Sequence, residues 1–141
     1  SGRNPEYLIE QQVRSVDFLK ISTLEIIPTG YILIDGGVET ATQRVSNTLP
    51  LLQTELEKIT NTALASQFMG KDLVYLEAGS GATEAVEPII IKQVSNAIDI
   101  PLIVGGGIRT KKQLNNAYNA GADFVVIGTA FEEDNEFLDG I

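Results

Sequence analysis

Residues 102–130, LIVGGGIRTKKQLNNAYNAGADFVVIGTA, contain one complete repeating unit of a parallel α/β fold. The apolar run Pro101 to Val104 predicts a buried strand that enters three glycines, and Phe124 to Ile127 predicts a second buried strand. A helical pattern lies between them. Because a strand, a helix and another strand in this order form a right-handed crossover, the stretch predicts two neighbouring parallel strands.

The helix of this unit has signals at both ends. Thr110 and Gln113 have the spacing of a capping box, and Gly121 follows the last helical position, where a left-handed residue commonly ends a helix. The stripe expected to face inward consists of Leu114, Ala117 and Tyr118. The sequence therefore predicts a capped amphipathic helix that packs on the sheet.

The same alternation extends towards the amino terminus. A helix is predicted from Pro5 to Phe18, followed by a strand region from Leu24 to Ile34 that is interrupted near Pro28. Residues 38–53 are predicted to form a loop that can include a short turn of helix, and the next helix is opened by a capping box at Thr54 and Glu57 and ended by Gly70. A strand from Leu73 to Leu76 and a helix from Val86 to Ile98 follow. Four strands thus alternate with helices. Since a closed (β/α)8 barrel needs about 250 residues, 1–141 is expected to form a single domain that is half of such a barrel or a small open α/β sheet.

Composition excludes several classes of site. The 141 residues include no His and no Cys, so this chain can form neither a Ser-His-Asp triad nor a disulfide framework. A net charge of −9 disfavours binding to nucleic acid. With no long apolar run and no signal-peptide pattern, the protein is expected in the cytoplasm.

Glycines follow the last two predicted strands. Gly105, Gly106 and Gly107 lead directly into the capped helix, and Gly128 with Thr129 ends the final strand. Backbone N–H groups from consecutive strand ends form the phosphate site that recurs in barrels of this type. Arg109 could add positive charge there, although a solvated residue at the helix start is the slightly favoured interpretation.

The segment 75–81, YLEAGSG, carries the most reactive candidate side chain. Glu77 lies where a strand enters its loop, so its carboxylate could accept hydrogen bonds from ligand hydroxyls and take a proton from an attacking one. The alternative role is a cap for the following helix. Strand alternation places Tyr75 on the same face as Glu77, and Ser80 is either a phosphate donor or a turn residue.

A second acidic side chain stands at the end of another apolar run. Asp35 closes ILIDGG (Ile32 to Gly37). An aspartate before two glycines is equally a candidate acid and a turn former, and the sequence does not decide between them.

These motifs together resemble one family. They are YLEAGSGA (Tyr75 to Ala82), VGGGIRT (Val104 to Thr110), GADFVVIGTA (Gly121 to Ala130), SGRNPEYLI (Ser1 to Ile9) and EIIPTGYILIDGG (Glu25 to Gly37). In these stretches the chain resembles the geranylgeranylglyceryl phosphate synthases and the related heptaprenylglyceryl phosphate synthases. The resemblance implies a TIM-barrel prenyltransferase of isoprenoid lipid biosynthesis, which joins a prenyl chain from its diphosphate to the 3-hydroxyl of sn-glycerol 1-phosphate.

The resemblance also assigns site residues. It implies Glu77 as the catalytic residue, which would orient and deprotonate the attacking hydroxyl. The glycerol phosphate would be bound by Tyr75, Leu76, Glu77, Ala78, Gly79, Ser80, Gly81, Gly106, Gly107, Gly128 and Thr129. Family members often have Asn where this chain has Thr129, a change that a backbone N–H donor would survive.

The part of the family's sequence that binds magnesium has no counterpart in this chain. The family's metal-binding acid lies in the first barrel strand, whereas the matched region begins at the helix after the fourth, so the chain resembles the C-terminal half of a TIM (β/α)8 barrel. No metal ligand is therefore assigned within this chain, and the Mg²⁺ ligands are expected in an N-terminal half. This chain alone is expected to be incomplete, with two open sheet edges covered by that half or by further copies in a homo-oligomer.

Two other functions remain open. One is a non-catalytic phosphate-binding half-barrel, and the other is a barrel enzyme that acts on a sugar phosphate. A heptaprenyl-specific homologue is a variant of the first hypothesis, since the sequence does not give the prenyl length. Contact with a membrane is expected only through the lipid substrate.

Overall fold

The computed structural model describes residues 4–134 and 136–137. Within them a π-helical segment, Glu6–Glu10, continues into α1 (Gln11–Ile21), followed by β1 (Thr29–Leu33), α2 (Ala41–Ser46), α3 (Leu56–Phe68), β2 (Leu73–Glu77), α4 (Pro88–Ser95), β3 (Leu102–Gly105), α5 (Lys111–Asn119), β4 (Phe124–Val126) and α6 (Thr129–Glu133). No helix among these residues is both long and apolar enough to cross a membrane.

The described strands form one parallel sheet in the order β1-β2-β3-β4. This confirms the predicted alternation of four parallel strands with helices. The register aligns Leu33, Glu77, Gly105 and Val126 at the carboxyl ends of the strands. The loops that follow these residues therefore start at the same edge of the sheet.

Helices cover one face of this sheet. Its side chains are aliphatic and at most 4% exposed, and they are Ile32, Ile34, Val74, Leu76, Leu102 and Val104. Ile59 of α3 and Ile90 of α4 belong to the same core, and both are fully buried. Burying each such side chain contributes about 1.5–3 kcal/mol, so this face stabilises the fold.

The opposite face is only partly covered. Tyr31, Tyr75 and Ile103 stand in register across three strands, and all three are half-buried. On β4 the same face carries Phe124 and Val126, which are 58% and 44% exposed. In a closed barrel this face lines the interior, so we call it the interior face.

The outer strands have open edges, as expected. Among the described residues, only Leu51 forms a β-bridge beyond β1, with Ile34. A groove of about 960 Å³ runs between the β1 edge and the side of α3. On α1, Val13, Phe18 and Ile21 expose 61%, 76% and 83% of their surface. The sheet edge and the N-terminal helix thus leave a large apolar surface uncovered.

The structure corrects the predicted ends of several elements. The first helix extends to Ile21, three residues beyond the prediction, and Leu24 to Ile27 is not a strand. Within residues 4–134 no strand pairs with this segment, and Leu24 is 79% exposed, so β propensity alone does not form a strand there. The helix predicted from Val86 to Ile98 is shorter and spans Pro88–Ser95. Its start is delayed because the residue before a proline avoids the helical conformation, and Glu87 is extended.

The two predicted capping boxes have different outcomes. At α5, Gln113 N donates to Thr110 Oγ1 over 3.2 Å, which confirms the cap. At α3 the prediction is wrong: Glu55 occupies the N-cap position, because a turn that joins Glu55 N to Leu52 O delays the start of the helix by one residue. The inward position predicted for Tyr118 is also wrong, since it is 47% exposed.

Candidate functional site

The predicted site lies at the carboxyl edge of the sheet, where three glycine-containing loops meet. They follow β2, β3 and β4, and they enclose a cavity of about 140 Å³. The cavity is lined by Glu77, Gly79, Ser80, Gly81, Ala82, Gly106, Gly107, Ile108, Arg109, Val126, Gly128 and Thr129. Eight of the eleven residues predicted to bind a glycerol phosphate are therefore brought together by the fold.

Glu77 is held firmly in this cavity. It ends β2, beside Gly105 of β3, and its residue surface is 8% exposed. Its Oε1 accepts a hydrogen bond from Gly79 N over 2.6 Å, and its carboxylate also accepts one from the Tyr75 hydroxyl. The carboxylate is thus aimed at the strand ends, and it does not cap the following helix, whose N-cap has no side-chain hydrogen bond.

Two tyrosines surround that carboxylate on the interior face. The rings of Tyr31 and Tyr75 pack edge to face, with centroids 5.3 Å apart and planes at 69°. Burial, the hydrogen bond to Glu77 and the charge of Glu77 raise the pKa of Tyr75 far above its ordinary value of 10. Burial and Glu77 also raise the pKa of Tyr31, against a hydrogen bond with Thr42 that lowers it. Both phenols therefore stay protonated and can act as donors.

The glycine loop after β3 allows this arrangement. A Cβ at Gly105 would lie 2.5 Å from the Tyr75 hydroxyl and 3.0 Å from Glu77 Oε2. At Gly106, which has a φ of +82°, a Cβ would lie 2.5 Å from Gly79 N. Because side chains do not fit at either position, the two loops approach each other through their backbones, which is the geometry that a phosphate site requires.

Three of the predicted residues do not line the cavity. Leu76 and Ala78 are fully buried in the helix-covered core, so their side chains face away from it. Tyr75 lies below the cavity and reaches it only through Glu77. Binding of a ligand by any of the eleven residues stays a prediction, and for Leu76 and Ala78 it could involve only the backbone.

Sequence reasoning missed part of the lining. Arg109, for which the sequence slightly favours a solvated position, is exposed and lies at the cavity wall. Val126 is on the interior face two residues after Phe124, so period-2 alternation would have found it. Ala82 and Ile108 gave no signal, because small apolar residues after a strand are equally typical of the core.

Asp35 lies outside this cavity. Its Oδ1 accepts a hydrogen bond from Gly37 N over 3.0 Å, which is an Asx turn. The structure thus shows Asp35 as a turn former that lies outside the candidate site.

A magnesium site was not predicted for this chain, and the described residues contain no cluster of metal-ligating side chains. Among 4–134 and 136–137, no three acidic side chains come close enough together to hold a metal ion. The Glu77 carboxylate accepts from one backbone N–H and one phenol, which are donors, whereas Mg²⁺ requires a set of oxygen ligands.

Comparison with known proteins gives a consistent result. The sequence model of the PcrB family matches residues 2–141. Geranylgeranylglyceryl phosphate synthase of Zunongwangia profunda is 61% identical over 132 residues, which are 94% of this chain and 56% of that protein. The synthase of Flavobacterium johnsoniae is 53% identical over 139 residues, 99% of this chain and 57% of that protein.

A solved structure is similar over the same range. It is (S)-3-O-geranylgeranylglyceryl phosphate synthase from Thermoplasma acidophilum in complex with its substrate sn-glycerol-1-phosphate, with a TM-score of 0.87 and 36% identity. The match covers 94% of this chain and 53% of that one. The chain thus spans about half the length of the curated relatives and of the structure that it matches.

Proposed function

This chain belongs to the PcrB family, and from that premise we propose that it forms the phosphate-binding part of a prenyltransferase. Its four parallel strands, superposed on about half of a synthase barrel, confirm the fold expected from the sequence, half of a (β/α)8 barrel. The proposed reaction joins a geranylgeranyl chain to the 3-hydroxyl of sn-glycerol 1-phosphate. In it the bond from the prenyl carbon to the diphosphate breaks, an ether bond forms, and diphosphate leaves.

One observation carries this proposal: a buried carboxylate and glycine-rich loops share one small cavity. A phosphate dianion beside Glu77 would be repelled, so the phosphate belongs on the opposite side, at Gly107 and Arg109. The glycerol hydroxyls then face Glu77. The two ends of the ligand are thereby distinguished by charge.

Glu77 would act on the attacking hydroxyl. With Gly79 N and Tyr75 holding the carboxylate, its free lone pairs can accept the hydrogen of the ligand hydroxyl and take the proton as the ether bond forms. Tyr75 remains a donor because its pKa is raised, so it fixes the carboxylate without competing for the proton. The proposed roles are therefore a catalytic base for Glu77 and a supporting donor for Tyr75.

Further components of the proposal lie outside the described residues. Mg²⁺ would neutralise the charge of the leaving diphosphate, with ligands supplied from beyond this chain. The open edges of β1 and β4 support contact with further protein, either the other half of a barrel or another copy of the chain. Cytoplasmic location and homo-oligomeric assembly belong to the same proposal, as does the prenyl diphosphate as second substrate.

The test is binding and transfer by the full-length protein. Calorimetry should show that sn-glycerol 1-phosphate binds more tightly than its enantiomer sn-glycerol 3-phosphate. Incubation with labelled geranylgeranyl diphosphate and Mg²⁺ should then yield a labelled ether lipid, and chelation of the metal should stop it. Binding without transfer would favour a non-catalytic phosphate-binding protein, and no discrimination between the enantiomers would contradict the proposed substrate.

A further inference from the structure

Gln53 is an amide side chain that joins two loops at the carboxyl edge of the sheet. It lies between the β-bridge at Leu51 and the start of α3. Its Nε2 donates to Asp35 O and to Ala85 O, both over 3.1 Å. Its Oε1 accepts a hydrogen bond from Glu87 N over 2.8 Å. One side chain thus connects the end of β1 to the segment that enters α4.

That segment lies directly behind the cavity. A Cβ at Gly107 would be 2.5 Å from Glu84 O, so the backbone just before Ala85 is in contact with the glycine loop. Thr83 N and Glu84 N both donate to Gly36 O, over 3.0 and 3.1 Å. Residues 83–87 are therefore fixed to the loop after β1, at Gly36, on one side and support Gly107 on the other.

We propose that Gln53 is a positioning residue for the glycerol phosphate site, an inference that rests on the proposed function of the cavity. It acts through residues 83–87, the last part of the loop after β2, which contact Gly107 and so set its position relative to Gly79 and Ser80 at the start of the same loop. The role needs both ends of an amide. A glutamate at 53 would place a carboxylate oxygen against the carbonyls of Asp35 and Ala85, and a leucine would leave all three backbone groups without this partner.

Gln67 provides a matched control within the same chain. It is also half-buried, and it lies near the other end of α3. Its Nε2 donates to Asp99 Oδ2 over 3.2 Å, and its Oε1 accepts from Asp99 N over 2.8 Å. Gln67 thus joins α3 to a loop at the amino edge of the sheet, far from the cavity.

The experiment compares Gln53→Leu, Gln53→Glu and Gln67→Leu in the full-length protein. Affinity for sn-glycerol 1-phosphate is measured by calorimetry at a temperature where all variants are folded. Both changes at Gln53 are expected to weaken binding about tenfold, since hydrogen bonds that fix the loop are lost. Gln67→Leu should stay within about twofold of the original affinity, although it also loses hydrogen bonds. Equal affinities of Gln53→Leu and Gln67→Leu would overturn the inference.

A second readout separates this inference from the proposed function. If the unchanged protein does not bind sn-glycerol 1-phosphate, the proposed function fails, and amide hydrogen exchange then tests the positioning role alone. The amides of Gly79, Thr83 and Glu84 should exchange faster in both Gln53 variants but not in Gln67→Leu. The same exchange rates in all three variants would contradict a positioning role for Gln53.

Discussion

The two faces of the sheet are built from alternate residues of the same strands, yet they differ in what they contain. The helix-covered face carries only aliphatic side chains that are nearly inaccessible, such as Leu76 and Val104. The interior face carries Tyr31, Tyr75 and Glu77, which contact one another through a ring pair and a hydrogen bond. Neighbouring residues in one strand thus serve stability and chemistry separately.

The largest effect is expected from Glu77→Gln on the interior face. Losing the base should lower the rate of prenyl transfer by about 10²–10⁴-fold, while the amide oxygen can still accept from Gly79 N. The free energy of unfolding should change by about 1 kcal/mol or less. Steady-state kinetics measures the transfer rate, and urea unfolding measures the free energy of unfolding. Glu57→Gln, on the exposed side of α3, is the control. An unaffected transfer rate would show that the role given to Glu77 is wrong.

Leu76, which is adjacent to Glu77 in β2, should give the opposite result, a loss of stability without a loss of ligand binding. Leu76→Ala leaves a cavity in the fully buried core, which should reduce the free energy of unfolding by about 2–5 kcal/mol. Affinity for the ligand, measured on the folded fraction, should be unchanged. Leu52→Ala, at a position that is 51% exposed, should cost far less. If Leu76→Ala weakened ligand affinity but left the free energy of unfolding unchanged, the assignment of stability to one face and chemistry to the other would be incorrect.

A smaller effect is expected where the interior face meets the glycine loop. In Gly105→Ala the new Cβ would push against the Tyr75 hydroxyl and Glu77 Oε2, and we expect a loss of about 1–3 kcal/mol in stability together with weaker binding. Gly128→Ala is the contrasting change, because a Cβ there meets nothing within 4 Å. Thermal unfolding of both variants without ligand measures the difference in stability, and calorimetry compares ligand binding by Gly105→Ala with binding by the unchanged protein. Equal losses would mean that the close approach at Gly105 is unimportant.

The smallest effect concerns Tyr75→Phe and its dependence on pH. Losing the hydrogen bond to Glu77 should cost about 0.5–1.5 kcal/mol at neutral pH. Because the pKa of Tyr75 is raised in the folded state, the folded protein keeps this proton above pH 10 while the unfolded chain releases it. The free energy of unfolding should therefore fall as the pH rises above about 10, and less steeply in Tyr75→Phe.

Two further variants complete this pH experiment. Tyr31→Phe should also reduce the slope, since the pKa of Tyr31 is raised in the same direction. Tyr118→Phe, on α5, is the control for the loss of a hydroxyl. Identical slopes in Tyr75→Phe and in the unchanged protein between pH 9 and about 11 would contradict the burial of this phenol.

Much of the difference between the two faces of the sheet could be predicted from the sequence. Period-2 alternation placed Tyr75 and Glu77 on one face, and strand order placed the glycine loops at one edge. Local signals failed where a tertiary partner decides the outcome. Leu24 to Ile27 has strong β propensity but no strand to pair with, and Thr54 loses its capping role to a turn that involves Glu55.

The contacts that support the site were harder to predict. Gln53 stands in a segment without regular structure, and its three partners are 18 to 34 residues away in the chain. Arg109 has the same sequence context whether it faces solvent or a ligand. Such contacts depend on how loops fold back on each other, which neither propensity nor periodicity encodes.

The strand order has a consequence for how the protein is made. Each of the four strands pairs only with the strands next to it in sequence, from β1 to β4, so every pairing closes a single crossover connection. During synthesis each new strand can therefore add to a sheet edge that has already left the ribosome, with no wait for a distant segment. The sheet can thus grow in one direction, from β1 to β4, as the chain is synthesised.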